Sequence, residues 1–291
     1  MAVSSKDEPV VSVLMPVWNC ETYVSDAIRS ILDQTCTSWE LLAVDGGSTD
    51  ATVDVIRGFN DDRIRILRAP SGITNALNCG LNAARARWIA RQDADDVSFP
   101  RRLEKQLAAV GHRKDVAFCY THDELFGDLP PRLKRAKFTR SQALLALRLC
   151  FQCPVVHSSV MFDKETVRGC GGYRGEQAED YDLWGRLIQK GKTIGLSEKL
   201  VRTRRHAVSA SRRHAETVST ASKEIALRHC VQFMGIEPRD ASRAYAALAA
   251  HGTKQNLADW RWFVLHCLPK LLWKSAELYA WVLWQTAKSL V

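Results

Sequence analysis

Three carboxylates lie within four residues of the segment RQDADDVSFP, which runs from Arg91 to Pro100. Asp93, Asp95 and Asp96 directly follow an apolar run, RWIA. Neighbouring carboxylates repel one another, and a bound cation relieves that cost. Mg²⁺ and Mn²⁺ suit such a cluster, because they prefer oxygen ligands and bind through one or two carboxylates together with substrate phosphates. The alternative is a solvated acidic turn that caps a helix beginning near Pro100, since a D-x-D pattern is short and common.

Two further acidic segments have residue types that could take part in a reaction. DGGSTD begins at Asp45, directly after the apolar run WELLAV, and it also has the composition of a glycine turn followed by a helix cap. EDYDLWGRLIQKG, residues Glu179–Gly191, predicts a helix with acids in its first turn and a terminal glycine. The partial positive charge at the start of that helix is expected to lower the pKa of Asp180 and keep it ionised.

The elements that would position these acids follow from the pattern of the first 120 residues, which alternates between strand-like and helix-like runs. This order predicts an α/β fold with a parallel sheet covered by helices. In open sheets of this kind, ligands bind beyond the carboxyl ends of the strands, so Asp45 and Asp93 are both expected at the ligand edge. The predicted strands are Val10–Pro16, Trp39–Val44, Arg63–Leu67 and Arg87–Gln92, and the predicted helices are Thr22–Gln34, a short helix ending at Phe59, and Ile73–Ala86.

The second half of the chain has a weaker pattern. Thr121–Phe138 is predicted to be a loop, because it contains Pro130–Pro131 and several basic residues, and His157–Phe162 is predicted to be a strand. Five of the nine tryptophans follow Leu257. Charged residues interrupt every stretch there that could span a bilayer, so the tail is expected to lie in a membrane interface or to pack on the domain or a partner subunit.

The overall composition limits the class of protein. The chain has 291 residues, 46% of them hydrophobic, which is enough to bury a core, and its net charge of +9 favours an anionic partner. The segment MAVSSKDEPV has no apolar signal core, so a cytoplasmic location is expected. The nine cysteines are interpreted as free thiols. Cys150 and Cys153 form a single C-x-x-C motif, so a structural zinc site is an alternative.

Seven segments in order carry a family resemblance over roughly Val10–Ser211. They are VSVLMPVWN, AIRSILDQT, ELLAVDGGSTDAT, NALNCGLNAARARWIARQDADDVSFPRRLEKQ, HSSVMF, GGYRGEQAEDYDLWGRL and RTRRHAVSAS. Together they resemble the family-2 glycosyltransferases, which are inverting enzymes with the GT-A fold. The resemblance implies a Rossmann-like, mostly parallel central sheet with helices on both faces, here followed by a helical C-terminal extension.

The resemblance also implies how a nucleotide-sugar donor would be held. Asp45 would accept a hydrogen bond from the uracil ring of a UDP-sugar, although many relatives carry a second Asp where this chain has Gly46, which leaves the base open. Asp93 and Asp95 would hold Mn²⁺ or Mg²⁺ on the two donor phosphates. Pro16, Val17 and Asn19 would form the other wall of the nucleotide pocket. His206 would lie over the diphosphate and near the metal. Arg102 would either contact a donor phosphate or have a structural role.

On the acceptor side, the resemblance implies that Asp180 is the general base. A sugar hydroxyl is a weak nucleophile at neutral pH, so a carboxylate must take its proton as the new bond forms, and a single displacement then inverts the anomeric carbon. Asp182 has the same chemistry and is the rival base. Glu179, His157 and Trp184 are expected to contact the acceptor, with a core position as the alternative for His157.

The implied domain plan places a GT-A catalytic domain at residues 1–235, with a nucleotide-sugar half to about 120 and an acceptor half from about 121. Residues 236–291 would form a helical, tryptophan-rich extension. Processive relatives carry a Q-x-x-R-W signature, which this chain lacks, so one sugar per acceptor is expected. The acceptor would be a glycan, expected to be lipid-linked, for a bacterial surface polysaccharide, with the protein peripheral on the inner face of the membrane. The sequence makes no prediction of oligomeric state.

Other classes fit the sequence less well. A nucleotidyltransferase would show a glycine-rich, basic loop after the first strand, and MPVWNCETY is not one. A dinucleotide oxidoreductase would carry G-x-G-x-x-G at the same place. A nucleic-acid-binding protein would explain the charge, but its motifs are missing, so no nucleic-acid partner is expected. A catalytically weak scaffold of the same fold is disfavoured because the expected acids and His206 are all present.

Overall fold

The structure is a computed structural model, and it describes residues 8–129, 138–175, 177–206, 215–249 and 257–267. The described residues fall into two compact units. The first contains residues 8–129, 155–175 and 177–206, and the second contains residues 138–154, 215–249 and 257–267.

Eight strands and ten helices are described, numbered here along the whole chain. The strands are β1 Val11–Val17, β2 Trp39–Asp45, β3 Ile64–Arg68, β4 Trp88–Arg91, β5 Val97–Ser98, β6 Val116–Phe126, β7 Val160–Asp163 and β8 Lys192–Arg204. The helices are α1 Val24–Leu32, α2 Thr52–Arg57, α3 Ile73–Ala83, α4 Arg102–Val110, α5 Gln142–Arg148, α6 Lys164–Gly169, α7 Glu179–Leu187, α8 Ala215–Met234, α9 Pro238–Ala249 and α10 Leu257–His266.

The first unit is built on one sheet with the strand order β3-β2-β1-β4-β7-β6-β8-β5. Strands β3, β2, β1 and β4 run parallel, and β7 pairs antiparallel with β4. Every residue of β1 and β2 is buried, as expected for strands covered on both faces. Helix α1 buries Val24, Ile28 and Ile31 in the same core. The predicted mixed α/β architecture is therefore confirmed.

Three local predictions differ from the structure. Residues Thr121–Phe126 continue β6 instead of forming a loop, because β6 pairs with β8 as far as Phe126 and Arg204. The prolines and most of the basic residues that suggested a loop lie in 130–137, outside the described residues. The predicted strand His157–Phe162 begins with a single 3-10 turn at His157–Ser159 and becomes extended only from Val160. That turn matters because it carries side chains into the site.

The second unit is helical. Helices α5, α8, α9 and α10 enclose an apolar cluster that includes Leu147, Cys230, Leu248 and Phe263. Helix α8 belongs to this unit, and its buried residues pack in that cluster. Among the described residues, no helix is long and apolar enough to cross a membrane. The predicted interfacial segment Leu268–Val291 lies outside the described residues.

Candidate functional site

Asp45 lies at the carboxyl edge of the parallel strands, between the ends of β1 and β3. It pairs in register with Val17 on one side and Arg68 on the other. Its carboxylate is almost fully buried, and Oδ1 accepts a hydrogen bond of 2.9 Å from the backbone N–H of Ser48. Pro16 precedes Val17 on β1, so the structure places these three expected nucleotide contacts at one point of the sheet.

The loops that follow β1 and β2 are tied together beside Asp45. Asn19 adopts a left-handed backbone with φ 47°, and its side-chain oxygen accepts a hydrogen bond of 2.8 Å from the N–H of Thr49. The N–H of Asn19 donates to the hydroxyl of Ser48 at 3.1 Å. The N–H of Glu21 donates to Asp50, and the Glu21 carboxylate accepts from Ala51. Asn19 therefore holds the loops after β1 and β2 together beside Asp45.

Asp93 follows β4 and is held by two protein groups. One carboxylate oxygen accepts from the Arg91 guanidinium at 2.5 Å, and the other accepts from the Ser158 hydroxyl at 2.6 Å. The backbone N–H of Asp93 donates back to Ser158. Burial alone would raise the pKa of Asp93, but the charge of Arg91 and the hydrogen bond from Ser158 lower it. Asp93 is thus an ionised carboxylate with a fixed orientation.

Asp95 meets His206 across the cleft. His206 Nε2 lies 2.8 Å from Asp95 Oδ2, and the ring centroid of Tyr23 lies 4.6 Å from that of His206. Arg204, the last residue of β8, bonds to the same acidic segment. Its backbone N–H donates to the Asp96 carboxylate, and its Nε donates to the backbone carbonyl of Asp95. Burial and the neighbouring charge of Asp93 raise the pKa of Asp95.

These residues fit a divalent cation. Burial first, and then the charge of Asp93, raise the pKa of Asp95, and a bound cation would favour its ionised form. The Nδ1 atom of His206 is buried and has no hydrogen-bond partner among the residues that the structure describes. Within those residues, no group of three or more His, Cys, Asp and Glu side chains forms a metal cage. A site with few protein ligands suits Mn²⁺ or Mg²⁺ bound in part through substrate phosphates.

Glu179 and Asp180 are the first two residues of helix α7. Ala178 precedes them with a left-handed backbone, φ 55°. Burial raises the pKa of Asp180 to about 6; the N–H of Tyr181, which donates at 2.7 Å, opposes the rise, and the charge of Asp93 adds to it. Burial and Asp180 raise the pKa of Glu179 to about 7. The expectation of a lowered pKa at Asp180 is wrong, because the loss of water outweighs the charge of the helix terminus.

Asp182, the rival base, is engaged elsewhere. Its carboxylate accepts a hydrogen bond of 2.8 Å from Arg186 Nε, one turn further along α7. The carboxylate of Asp182 is thus already bonded to a cation, whereas burial raises the pKa of Asp180. The geometry therefore favours Asp180 over Asp182.

His157 lies beneath the start of α7. Its Nε2 is 3.0 Å from the Tyr173 hydroxyl, and its Nδ1 is 3.9 Å from Glu179. Burial and the charge of Arg91 hold the pKa of His157 well below its usual range, so the ring is neutral. His157 is nine-tenths buried, so the structure favours a supporting role beside Glu179 over direct contact with an acceptor.

Trp184 does not reach the cleft. Its side chain has no solvent exposure and packs against Phe118, with ring centroids 5.4 Å apart. The edge of its ring meets His157 at 5.6 Å. The expected acceptor contact is therefore not available to Trp184, which is a core residue because α7 turns this side chain toward the sheet.

Arg102 is also buried completely. Its guanidinium donates to the side chains of Gln92, Ser98 and Gln106. It also donates to the carbonyls of Arg91 and Val160, which lie on β4 and β7. Of the two roles left open by the sequence, the structure favours the structural one, because Arg102 braces the two strands that carry the site.

The sequence interpretation missed Arg91 and Ser158, which hold Asp93. A signal for Arg91 was present, since a charged residue ends the short buried strand WIAR directly before the acidic cluster. Ser158 left no comparable signal, because its role depends on the 3-10 turn at His157–Ser159.

Comparison with known proteins agrees with this geometry. Residues 12–161 match the family described as Glycosyl transferase family 2. The chain is 32% identical over 217 residues to the O-antigen biosynthesis glycosyltransferase WbnJ of Escherichia coli, covering 70% of this chain and 82% of WbnJ. It is 31% identical over 185 residues to WfgD of the same organism, a UDP-Glc:alpha-D-GlcNAc-diphosphoundecaprenol beta-1,3-glucosyltransferase, covering 63% of this chain and 71% of WfgD.

A solved structure shows the same fold. The mannosyltransferase PcManGT from Pyrobaculum calidifontis, in complex with GDP-Man and Mn²⁺, aligns with a TM-score of 0.60 at 17% identity. The alignment covers 98% of this chain and 82% of that chain. The predicted GT-A fold is confirmed by this likeness.

Proposed function

The chain belongs to glycosyl transferase family 2, and on that premise we propose that it transfers one sugar from a UDP-sugar to a hydroxyl of a lipid-linked glycan. The transfer inverts the anomeric carbon and serves the synthesis of a bacterial surface polysaccharide. The observation that carries the proposal is the placement of acids at the carboxyl edge of the sheet. Asp45 ends β2, Asp93 and Asp95 follow β4, and Asp95 Oδ2 lies 2.8 Å from His206 Nε2. Donor phosphates would lie beside Asp93 and Asp95, and the acceptor hydroxyl beside Asp180.

The donor half of the proposal uses the carboxyl edge of the sheet. Asp45 would accept the imide N–H of uracil; its place beside Val17 and the loop containing Asn19 supports this role. The UDP-glucose donor of WfgD supports a UDP-sugar. The GDP-mannose of PcManGT keeps a guanine nucleotide as the alternative to be tested.

Asp93, Asp95 and His206 would hold a divalent cation beside the diphosphate. When bound, Mn²⁺ or Mg²⁺ supplies positive charge that stabilises the leaving nucleoside diphosphate. The chain's own contribution is orientation. Arg91 and Ser158 hold Asp93, the Tyr23 ring packs on the His206 ring, and Arg204 donates to the backbone carbonyl of Asp95.

The acceptor half uses Asp180 as the base. With a pKa of about 6, its carboxylate is ionised at neutral pH yet more basic than an ordinary Asp. It would take the proton of the acceptor hydroxyl as the new bond forms, and one displacement gives inversion. The lipid-linked acceptor of WfgD supports this acceptor class. Peripheral binding of the protein to the membrane remains part of the proposal and rests on the sequence of the tail.

The test is a donor screen followed by transfer. The protein is incubated with Mn²⁺ and UDP-, GDP- or dTDP-sugars, and thermal stabilisation and slow hydrolysis are recorded. The best donor is then supplied with a sugar diphosphate on a long-chain alcohol, and the product's anomeric configuration is read by NMR. We expect stabilisation by UDP-sugars only with metal, and an inverted product. Indifference to every nucleotide would reject the proposal, and stabilisation by GDP-sugars alone would reject the UDP assignment.

A further inference from the structure

Asn78, in the middle of helix α3, holds the loop that leads into helix α7. Its side-chain oxygen accepts a hydrogen bond of 2.9 Å from the backbone N–H of Tyr173, and its Nδ2 donates to the backbone carbonyl of the same residue at 3.0 Å. Because an amide side chain carries both an acceptor and a donor, Asn78 bonds Tyr173 much as a neighbouring strand would. Two hydrogen bonds to one residue fix both the position and the orientation of its backbone.

A glycine beside Tyr173 makes this contact possible. Gly172 has φ 67°, a left-handed backbone that other residues rarely adopt, and a Cβ there would lie 2.6 Å from the Asn78 side-chain oxygen. Thr74, one turn earlier on α3, adds a hydrogen bond from its hydroxyl to the carbonyl of Gly175. The loop between α6 and α7 is therefore attached to α3 at Tyr173 and again at Gly175.

Helix α3 itself lies closely on the sheet. A Cβ at Gly80 would overlap the Leu14 side chain of β1, so the lack of a side chain there lets the helix approach the strand. The chain enters α3 from β3, and just after β3 the N–H of Ala69 donates to the carbonyl of Asp45 at 2.9 Å. Asn78 thus projects from an element that is packed on the donor-side strands.

The loop in turn contacts the groups at the start of α7. The Tyr173 hydroxyl lies 3.0 Å from His157 Nε2, and His157 Nδ1 lies 3.9 Å from Glu179, the first residue of α7. Arg186 of α7 donates to the carbonyl of Cys170 at 2.9 Å. The loop is therefore bonded to α3 on one side and to α7 on the other.

We propose that Asn78 is a positioning residue of the reaction: through the backbone of Tyr173, it fixes the loop that places the start of α7, and with it Asp180, against the donor. The inference rests on the proposed function, because Asp180 is the base proposed there. It adds that a helix packed on the donor-side strands sets the geometry of the acceptor side. A displacement of about 1 Å in a reacting group can lower a rate about 100-fold, so the loss of two hydrogen bonds should be measurable in kcat.

The experiment compares Asn78→Ala and Thr74→Val with the wild-type chain. Thr74→Val keeps the shape of the side chain and removes one hydrogen bond, so it probes the same attachment with a milder change. Asn82→Ala is the matched control, because Asn82 is an exposed asparagine one turn further along α3. The urea midpoint and the hydrogen exchange of the Tyr173 amide, followed by NMR, are measured first. kcat and donor KM are then measured with Mn²⁺ and the donor found in the screen.

We expect the Tyr173 amide of Asn78→Ala to exchange about tenfold faster or more. Its kcat should fall about 10- to 100-fold while donor KM stays within about twofold of wild type. Thr74→Val should show the same split with a smaller loss of kcat, and Asn82→Ala should behave as wild type. A role in stability alone would instead lower the urea midpoint and leave the kcat of the folded enzyme unchanged.

Gly172→Ala approaches the same contact from the loop. Its Cβ would press on the Asn78 oxygen, so kcat should fall in the wild-type background. In an Asn78→Ala background that oxygen is gone, and the further loss from Gly172→Ala should be smaller. Losses that multiply in full would mean that the two residues act separately, which would contradict the inference.

An unchanged kcat in a folded Asn78→Ala variant would overturn the inference, and so would a raised donor KM with kcat unchanged. If Asn78→Ala does not fold, an unchanged kcat in Thr74→Val would overturn it instead. A wild-type chain that transfers no sugar, although Asn78→Ala speeds exchange at Tyr173, would reject the proposed function and not the attachment of the loop.

Discussion

Asp95 and His206 are 111 residues apart in the chain, and their side chains meet at 2.8 Å. Asp95 follows β4 and His206 follows β8, so the contact joins the segments after these two strands. The metal proposal places a cation beside this contact. We expect His206→Asn to weaken UDP binding in the presence of Mn²⁺ by about tenfold or more, as measured by calorimetry.

The control for that experiment is the same titration without metal. If His206 acts through the cation, wild type and His206→Asn should then bind UDP equally weakly. A loss of affinity that is the same with and without Mn²⁺ would mean that His206 contacts the nucleotide directly.

Replacing the base should separate binding from transfer. Asp180→Asn keeps the shape of the side chain but cannot accept a proton, so kcat should fall about 10²- to 10⁴-fold with donor affinity unchanged. Asp182→Asn is the matched variant on the same helix. Because Asp182 is paired with Arg186, that change should leave kcat within about tenfold of wild type. The reverse pattern would assign the base to Asp182.

The acidic limb of the rate profile should report Asp180. Burial raises its pKa from 3.8 to about 6, and the base works only when deprotonated. As pH falls through about 6, the ionised fraction and kcat should therefore fall together, about tenfold per unit at the lower end. Rates at saturating donor, with donor binding checked at each pH, measure this limb. A kcat that stays constant down to pH 4.5 would contradict the assignment.

Arg102 should matter for stability. Arg102→Met removes the buried guanidinium together with its hydrogen bonds, which leaves the carbonyls of Arg91 and Val160 without this donor. We expect a loss of about 3–5 kcal/mol in the free energy of unfolding, read from the urea midpoint. Arg101→Ala is the neighbouring control, because Arg101 is exposed and its loss should hardly move the midpoint. If Arg102→Met has an unchanged urea midpoint and a raised donor KM, Arg102 would instead be assigned to a donor phosphate.

The tail carries a separate prediction from the sequence. Its tryptophans and lysines, on an otherwise apolar stretch, are typical of a segment that lies in a membrane interface. Removing Leu268–Val291 should abolish co-sedimentation with anionic vesicles, while UDP binding stays intact. Equal sedimentation of both forms would favour packing against protein instead.

The sequence predicted the parts of the fold that depend on local pattern. Strands β1, β2 and β4 are short apolar runs, and α1 has a clear helical face, so hydrophobic spacing was sufficient for them. The acids at strand ends followed from strand order, because parallel strands bring their carboxyl ends to one edge. Asp45 and Asp93 were placed correctly at that edge for this reason.

What the sequence could not predict depends on contacts between distant segments. The pKa of Asp180 was expected in the wrong direction, because burial beside Asp93 outweighs the helix terminus and neither is visible locally. Trp184 was expected to contact the acceptor because of its place in the motif. The packing of α7, which the sequence does not reveal, turns its side chain into the core. The second half of β6 becomes a strand because β8 pairs with it.

The hydrogen bonds between the loops after β1 and β2 have a consequence for how donor choice could change. Asn19 and Glu21 bond only to partners within Ser48–Ala51 in the contacts that join these loops. The two loops therefore depend on each other for their conformation. Replacing both loops with those of a relative should transfer that relative's preference for a nucleotide base, whereas replacing one loop should remove the hydrogen bonds that hold the other. Neither exchange alters the carboxylates that follow the later strands.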